Sequence, residues 1–183
     1  MRIFYAGFLF FLIISMSSCL TYRVVEYTIT YSDTFNSGEI IVHYTDIRSS
    51  EKEEAKREKD FNELIDLIEK DQFLLDQVEE GVYVKQRQIY EENGQIHGEY
   101  TGIFADLTID RNELKIENEE RILLLTLDEG EQIESNGKTL ISKHNVLLVW
   151  PKDQKVLTFK KTTQNYDAQT HSLIEYYNNW KLR

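Results

Sequence analysis

Val25-Glu26-Tyr27-Thr28-Ile29-Thr30-Tyr31 decides the fold class of this chain. Large apolar residues at 25, 27 and 29 and Tyr31 alternate with Glu26, Thr28 and Thr30. Successive side chains of a strand point to opposite faces, so this period of two gives one apolar and one polar face. Thr21 and Tyr22 open the run, and residues 32–38, with Ser, Asp, Asn and Gly, carry turn chemistry. Residues 39–47 form the next strand, with Ile40, Val42 and Tyr44 on one face and Ile41, His43 and Thr45 on the other. The pair reads as a β-hairpin.

Beyond the hairpin the period changes. Ser50 with Glu53 matches a capping box and predicts a helix start. Residues 51–60 are nearly all charged, which predicts a solvated helix face with Glu53 and Arg57 as an i,i+4 pair. Phe61, Leu64, Ile65 and Ile68 then form one apolar stripe. Phe73, Leu74, Leu75 and Val78 continue it or make a second short helix, and Gly81 is a stop. Strands return at Val82. Asn93-Gly94 between extended runs predicts a tight hairpin turn, because both residues tolerate positive φ. On the returning strand Ile96, Tyr100 and Phe104 share a face with Gly98 and Gly102, which mark a bulge or a close approach of another element.

Residues 106–112 read as a turn or one helical turn, and 113–118 as a weak strand. The unbroken leucines of 121–127 predict a strand buried on both faces. Residues 131–135 read as a polar edge strand ending in Asn136-Gly137, a second type I′ signal. Residues 138–142, 146–150 and 156–163 complete the strands. Asp167 is placed to open a closing helix that carries Leu173, Ile174, Tyr177 and Trp180. The expected class is α+β: a mostly antiparallel sheet of roughly eight strands, a helix or helical hairpin inserted between strands two and three, and a C-terminal helix.

The net charge of −11 opposes nucleic acid, and opposes a hold on anionic lipid through the protein body. One Pro and eight Gly leave little room for long linkers. His43, His97, His144 and His171 fall in four different elements without metal-ligand spacing, and read as exposed or packed side chains. No nucleophile elbow or phosphate-binding loop is present. Asp128, Glu129, Glu131 and Glu134 gather around one turn, and Asp106, Asp110, Asn112 and Glu113 around another. Neither has EF-hand spacing, so both read as solvated turns, although two carboxylates meeting from distant strands would leave no signature. No catalytic, cofactor-binding or metal-binding residue is assigned. The eleven tyrosines include Tyr22, Tyr27, Tyr31 and Tyr44 on the first hairpin, where they suit sheet packing or an aromatic binding face.

Upstream of the hairpin, Arg2 precedes an uncharged apolar run, residues 3–14, and then Ser15, Met16, Ser17, Ser18 and Cys19. The run is shorter than the roughly 20 residues that span a bilayer and has the layout of a secretory signal. Met16-Ser17-Ser18-Cys19 resembles the lipobox of bacterial lipoproteins, with Met16 where Leu is usual. The resemblance implies cleavage before Cys19, a thioether from its sulfur to diacylglycerol, and acylation of the new amine by a palmitate-like chain. Residues 1–18 are then a lipoprotein signal peptide and 19–183 a single α+β domain. Cys19 is the only cysteine, so neither an intramolecular disulfide nor thiol catalysis has a candidate.

With its hairpin, its Asn93-Gly94 and Ser135-Asn136-Gly137 turns, Trp150-Pro151 and its closing Leu173, Tyr177 and Trp180, the body resembles a group of small bacterial envelope lipoproteins without an assigned activity. The expected location is the cell envelope, lipid-anchored. In a host with two membranes it is the periplasmic side of the outer membrane, because Leu20 stands where an inner-membrane retention signal has Asp. The expected role is a non-enzymatic binding or assembly protein held to the membrane through lipid at Cys19, with another envelope protein as partner and no nucleic acid. The alternatives are a lipid-anchored hydrolase whose carboxylates converge in the fold, and a carrier of an apolar ligand between sheet and helices.

Overall fold

The computed structural model describes residues 19–32, 36–110 and 112–182. The signal-peptide reading of residues 1–18 lies outside the described residues. The chain is α+β and mostly antiparallel. Its first hairpin pairs β1 (Leu20–Tyr31) with β2 (Ser37–Ser49) along almost their whole length. Helices α1 (Glu54–Glu69) and α2 (Gln72–Glu79) follow, then the hairpin of β3 (Val82–Glu92) and β4 (Gln95–Ala105). Asn93 and Gly94 turn it with φ of 55° and 76°, the left-handed pair that a type I′ turn requires.

A small hairpin joins β5 (Thr108–Ile109) to β6 (Asn112–Glu113), where the sequence also allowed a helical turn. Next come β7 (Lys115–Glu117), β8 (Glu120–Thr126), β9 (Glu131–Ser135), β10 (Lys138–Ser142), β11 (Asn145–Pro151) and β12 (Val156–Thr163). The chain closes with α3 (Tyr166–Gln169), β13 (His171–Ser172) and α4 (Ile174–Lys181).

The single sheet of the sequence reading resolves into two larger sheets and the β5–β6 pair. The large sheet has the order β3-β4-β2-β1-β12-β9, with β13 added at the end of β2. A four-stranded sheet runs β10-β11-β8-β7. Ile96, Tyr100 and Phe104 share one face of β4 by strand alternation. Ile96 packs with Phe61, Leu64, Ile65, Leu173 and Tyr177 of the helical region, whereas Tyr100 and Phe104 pack with Leu123, Leu148 and Trp150 of the small sheet. One face of the large sheet is therefore covered twice, by helices at one end and by the small sheet at the other.

Several local signals give way to tertiary partners. The capping box does not form: α1 starts at Glu54, its N-cap Glu53 makes no side-chain cap bond, and the Ser50 hydroxyl donates to the Cys19 carbonyl at 3.2 Å. Ser49 takes over at this corner. Its hydroxyl donates to Asp60 Oδ2 at 2.5 Å and accepts from the Glu51 amide at 2.9 Å, so Asp60 is buried rather than part of the solvated face. Glu53 pairs with Lys56 at 3.1 Å, and Arg57 reaches the Lys52 carbonyl instead.

Asn136-Gly137 is not a type I′ hairpin, since neither residue has positive φ and the strands it joins pair elsewhere, β9 with β12 and β10 with β11. Asp167 does not cap the last helix. Its carboxylate pairs with Arg23 at 2.6 Å and Arg48 at 3.0 Å. On β8, Leu123 and Leu125 are fully buried but Leu124 is 49% exposed, so only one face of that strand is in the core.

The stripe on α1 behaves as its spacing predicts. Phe61, Leu64 and Ile65 are buried. Leu64→Ala is expected to cost about 2–5 kcal/mol, the transfer term plus a cavity that neighbours on two elements cannot close. Urea titration followed by circular dichroism checks this, and an unchanged midpoint would mean that the helix is not packed on the sheet.

Candidate functional site

The feature with the character of a binding site is a cleft of about 240 Å³ between the two helices and the double-covered face. Leu64, Leu67 and Ile68 of α1 and Phe73 of α2 form its helical wall. Tyr44, Ile47, Ile89 and Tyr100 line it from the sheet, and Leu20 and Tyr22 from the start of β1. The amphipathic spacing of α1 turns its stripe toward the sheet. Strand alternation brings up Tyr44 and Tyr100.

Ile47 joins Tyr44 in the helical core, although three residues apart they should face opposite ways. The strand changes phase at Asp46, which adopts φ 56° and drops out of the backbone pairing opposite Arg23. Arg23 and Arg48 hold the buried Asp46 carboxylate at 3.1 and 2.8 Å. The Tyr166 hydroxyl donates to the Asp46 carbonyl and, at 3.0 Å, to that of Thr21.

The floor is kept low by Gly98. A Cβ there would lie 3.0 Å from Ile47 Cδ1 and 3.8 Å from Tyr44 Cβ. Phe73 meets the Tyr100 ring edge-on at 5.4 Å, and Tyr22 meets Tyr44 the same way at 5.2 Å. Burial pushes the Tyr22 and Tyr44 hydroxyls above the ordinary phenol range, so both stay neutral. The one cation among the lining residues, Arg87, is engaged in structure. Its Nη1 donates to the carbonyls of Leu67 and Lys70 at 2.8 and 2.9 Å, which ties the end of α1 over the sheet. Gln88 is bonded to Glu99 at 3.4 Å. The cleft thus offers mainly hydrocarbon and aromatic surface, with Arg87, Gln88 and Glu99 already partnered.

Cys19, the predicted lipidation residue, stands immediately before this wall. Its thiol donates to Glu51 Oε1 at 3.1 Å, and that bond, with burial adding, raises its pKa. The first-hairpin tyrosines all pack in or against the core. Tyr27 and Tyr31 are core residues, and Tyr22 and Tyr44 line the cleft.

Asp110 of one acidic turn and Glu131 of the other both act on the buried Lys161, and the 128–134 turn lines a pocket with Lys143 and His144. Asp110 pairs with Lys161 at 2.8 Å and Glu134 with Lys160 at 3.0 Å. Glu131 accepts from the Asp128 amide at 2.9 Å. Among the described residues no three His, Cys, Asp or Glu side chains gather as a metal site.

His43, Tyr90 and His97 do come together, on the uncovered face of the large sheet. Their rings lie within 14° of parallel, and the Tyr90 hydroxyl is 3.0 Å from His43 Nε2. The Tyr90–His97 half of this stack was legible, because residues equidistant from the Asn93-Gly94 turn must pair. The cleft itself had no sequence signal beyond its separate apolar faces. No family model, curated protein or solved structure matches the chain.

Proposed function

We propose that this chain is a lipid-anchored, non-enzymatic binding protein of the bacterial cell envelope, and that its cleft receives a hydrocarbon chain. The observation that carries the reading is the lining of the cleft, which is dominated by apolar and aromatic side chains, with Thr21, Arg87, Gln88 and Glu99 its charged and amide or hydroxyl members. Apolar pockets with few convergent polar groups suit apolar ligands. A hydrolase reading would need unengaged carboxylates facing a common space, and Asp110, Glu134 and Glu131 are taken up in ion pairs and a turn bond instead. The lipobox-like Met16-Ser17-Ser18-Cys19 supports the anchor. No helix among the described residues is long and apolar enough to cross a membrane.

The binding test uses the mature chain carrying Cys19→Ser, titrated with the methyl ester of a fluorescent polyunsaturated fatty acid, which has no charged head. Saturable one-to-one uptake is expected, weakened at least tenfold by Ile68→Trp. Ile68 is half-buried at the wall, so the larger ring fills the cleft without disturbing the core. Uptake that is absent, or indifferent to Ile68→Trp, would overturn the cleft as the site. The anchor is tested in cells with labelled palmitate. Cys19→Ser should accumulate as unprocessed, unlabelled precursor, and a wild-type protein processed without label would overturn the anchor.

A further inference from the structure

We propose that the resident occupant of the cleft is one acyl chain of the molecule's own Cys19 anchor. This rests on the reading of Cys19 as lipidated and of the cleft as a hydrocarbon site.

The first ground is position. The Cys19 carbonyl accepts from the Ser50 amide at 2.9 Å, which fixes the attachment point against the end of β2. The next residue, Leu20, pairs with Ser49, and Leu20, Thr21 and Tyr22 all line the cleft. A strand advances roughly 3.3 Å per residue, so the anchor begins about one such step from the wall. No linker separates the two, and the chain is delivered to the cleft at the millimolar effective concentration of a short tether.

The second ground is the match of number and size. The anchor implied by the lipobox carries three chains, and two hydrophobic attachments suffice for stable anchoring, so one chain can leave the bilayer without releasing the protein. A space of about 240 Å³ corresponds to roughly eight groups of about 30 Å³ each, the bulk of a methylene or a water. That is room for part of one chain and not for two.

The third ground is chemistry. A free fatty acid or a phospholipid would bring an anionic head, and the lining cation, Arg87, already has its Nη1 bonded to the end of α1. A chain entering from Cys19 presents only hydrocarbon, and its ester or amide end stays at Cys19, the residue before β1. Moving hydrocarbon from a bilayer to this cleft exchanges one apolar surrounding for another. The exchange also fills a void and covers Leu67, which is otherwise 41% exposed. The chain would then clamp the helical end of the domain against the membrane.

The test replaces Leu67, a lining residue 41% exposed, with p-benzoylphenylalanine in the full lipoprotein, expressed as a mixture of light and heavy isotope-labelled protein and illuminated in its own membranes. The expected product joins the residue-67 peptide to an acyl group of the Cys19 peptide, in light–light and heavy–heavy pairs only. The same substitution at Tyr83, 66% exposed on the other face of the sheet, should give no such product. Cross-links solely to bulk phospholipid, mixed light–heavy pairs, or no cross-link would overturn the proposal. If in those cases the Cys19→Ser chain still takes up the fatty acid methyl ester, the cleft stands as a hydrocarbon site and only its own-chain occupancy is lost. If that uptake is also absent, the cleft reading fails together with this proposal.

Discussion

Trp150→Ala should lower the unfolding free energy by about 3–5 kcal/mol, the range for removing a large aromatic side chain from a core. Trp150 is fully buried between the two sheets and lies 6.3 Å from the Phe159 ring of the large sheet. Its Nε1–H donates to Asn136 Oδ1 at 2.8 Å. The same oxygen accepts from the Thr158 amide at 2.9 Å, so it keeps one partner when the indole is gone. The loss is therefore mainly one of volume, and Trp150→Phe, which keeps much of the ring, should cost clearly less.

Gly137 gives a second handle. A Cβ there would sit 2.5 Å from the indole and 2.6 Å from the Val149 carbonyl. Gly137→Ala should destabilise the wild type and do less harm in the Trp150→Ala background, because part of the clash is with the ring itself. A double-mutant cycle in urea would read this as non-additivity. A cost near zero for Trp150→Ala would mean that the small sheet is not docked on the large one.

Truncation after Tyr166 should abolish cooperative unfolding. The lost segment contains Leu173 and Tyr177, at 0% and 2% exposure, which close the helical core over Phe61, Leu64 and Ile65. It also contains β13, whose His171 and Ser172 pair with Ser49 and Arg48 at the end of β2. Asp167 goes with it, leaving Arg23 and Arg48 with Asp46 alone. The shortened chain would expose a contiguous apolar surface on α1, and dye binding with loss of a sharp thermal transition is the expected signature. A truncated protein that melts as the full chain does would show α4 to be a detachable segment.

What the sequence by itself determined is what depends on neighbours along the chain. The alternation of Val25, Tyr27, Ile29 and Tyr31 built a strand with one buried face. Asn93-Gly94 built a hairpin and set its register, and Phe61, Leu64 and Ile65 built a helix face that packs. These signals are complete within a few residues, so nothing distant is needed to read them.

Tertiary structure decided the rest wherever a polar group had two partners to choose from. Asn136-Gly137 has the same letters as Asn93-Gly94, but Asn136 bonds to Trp150, Val156 and Thr158 and becomes a join between sheets. Ser50 and Asp167 had helix ends within reach along the chain, and bond instead to the Cys19 carbonyl and to two arginines. These three residues are exposed, and each takes the partner that the packed fold brings within reach, which lies 14 to 144 positions away. The cleft follows the same logic. Each wall is an ordinary apolar face of its own element, and the space between them exists only because α1, α2 and the first three residues of β1 meet the sheet at one place.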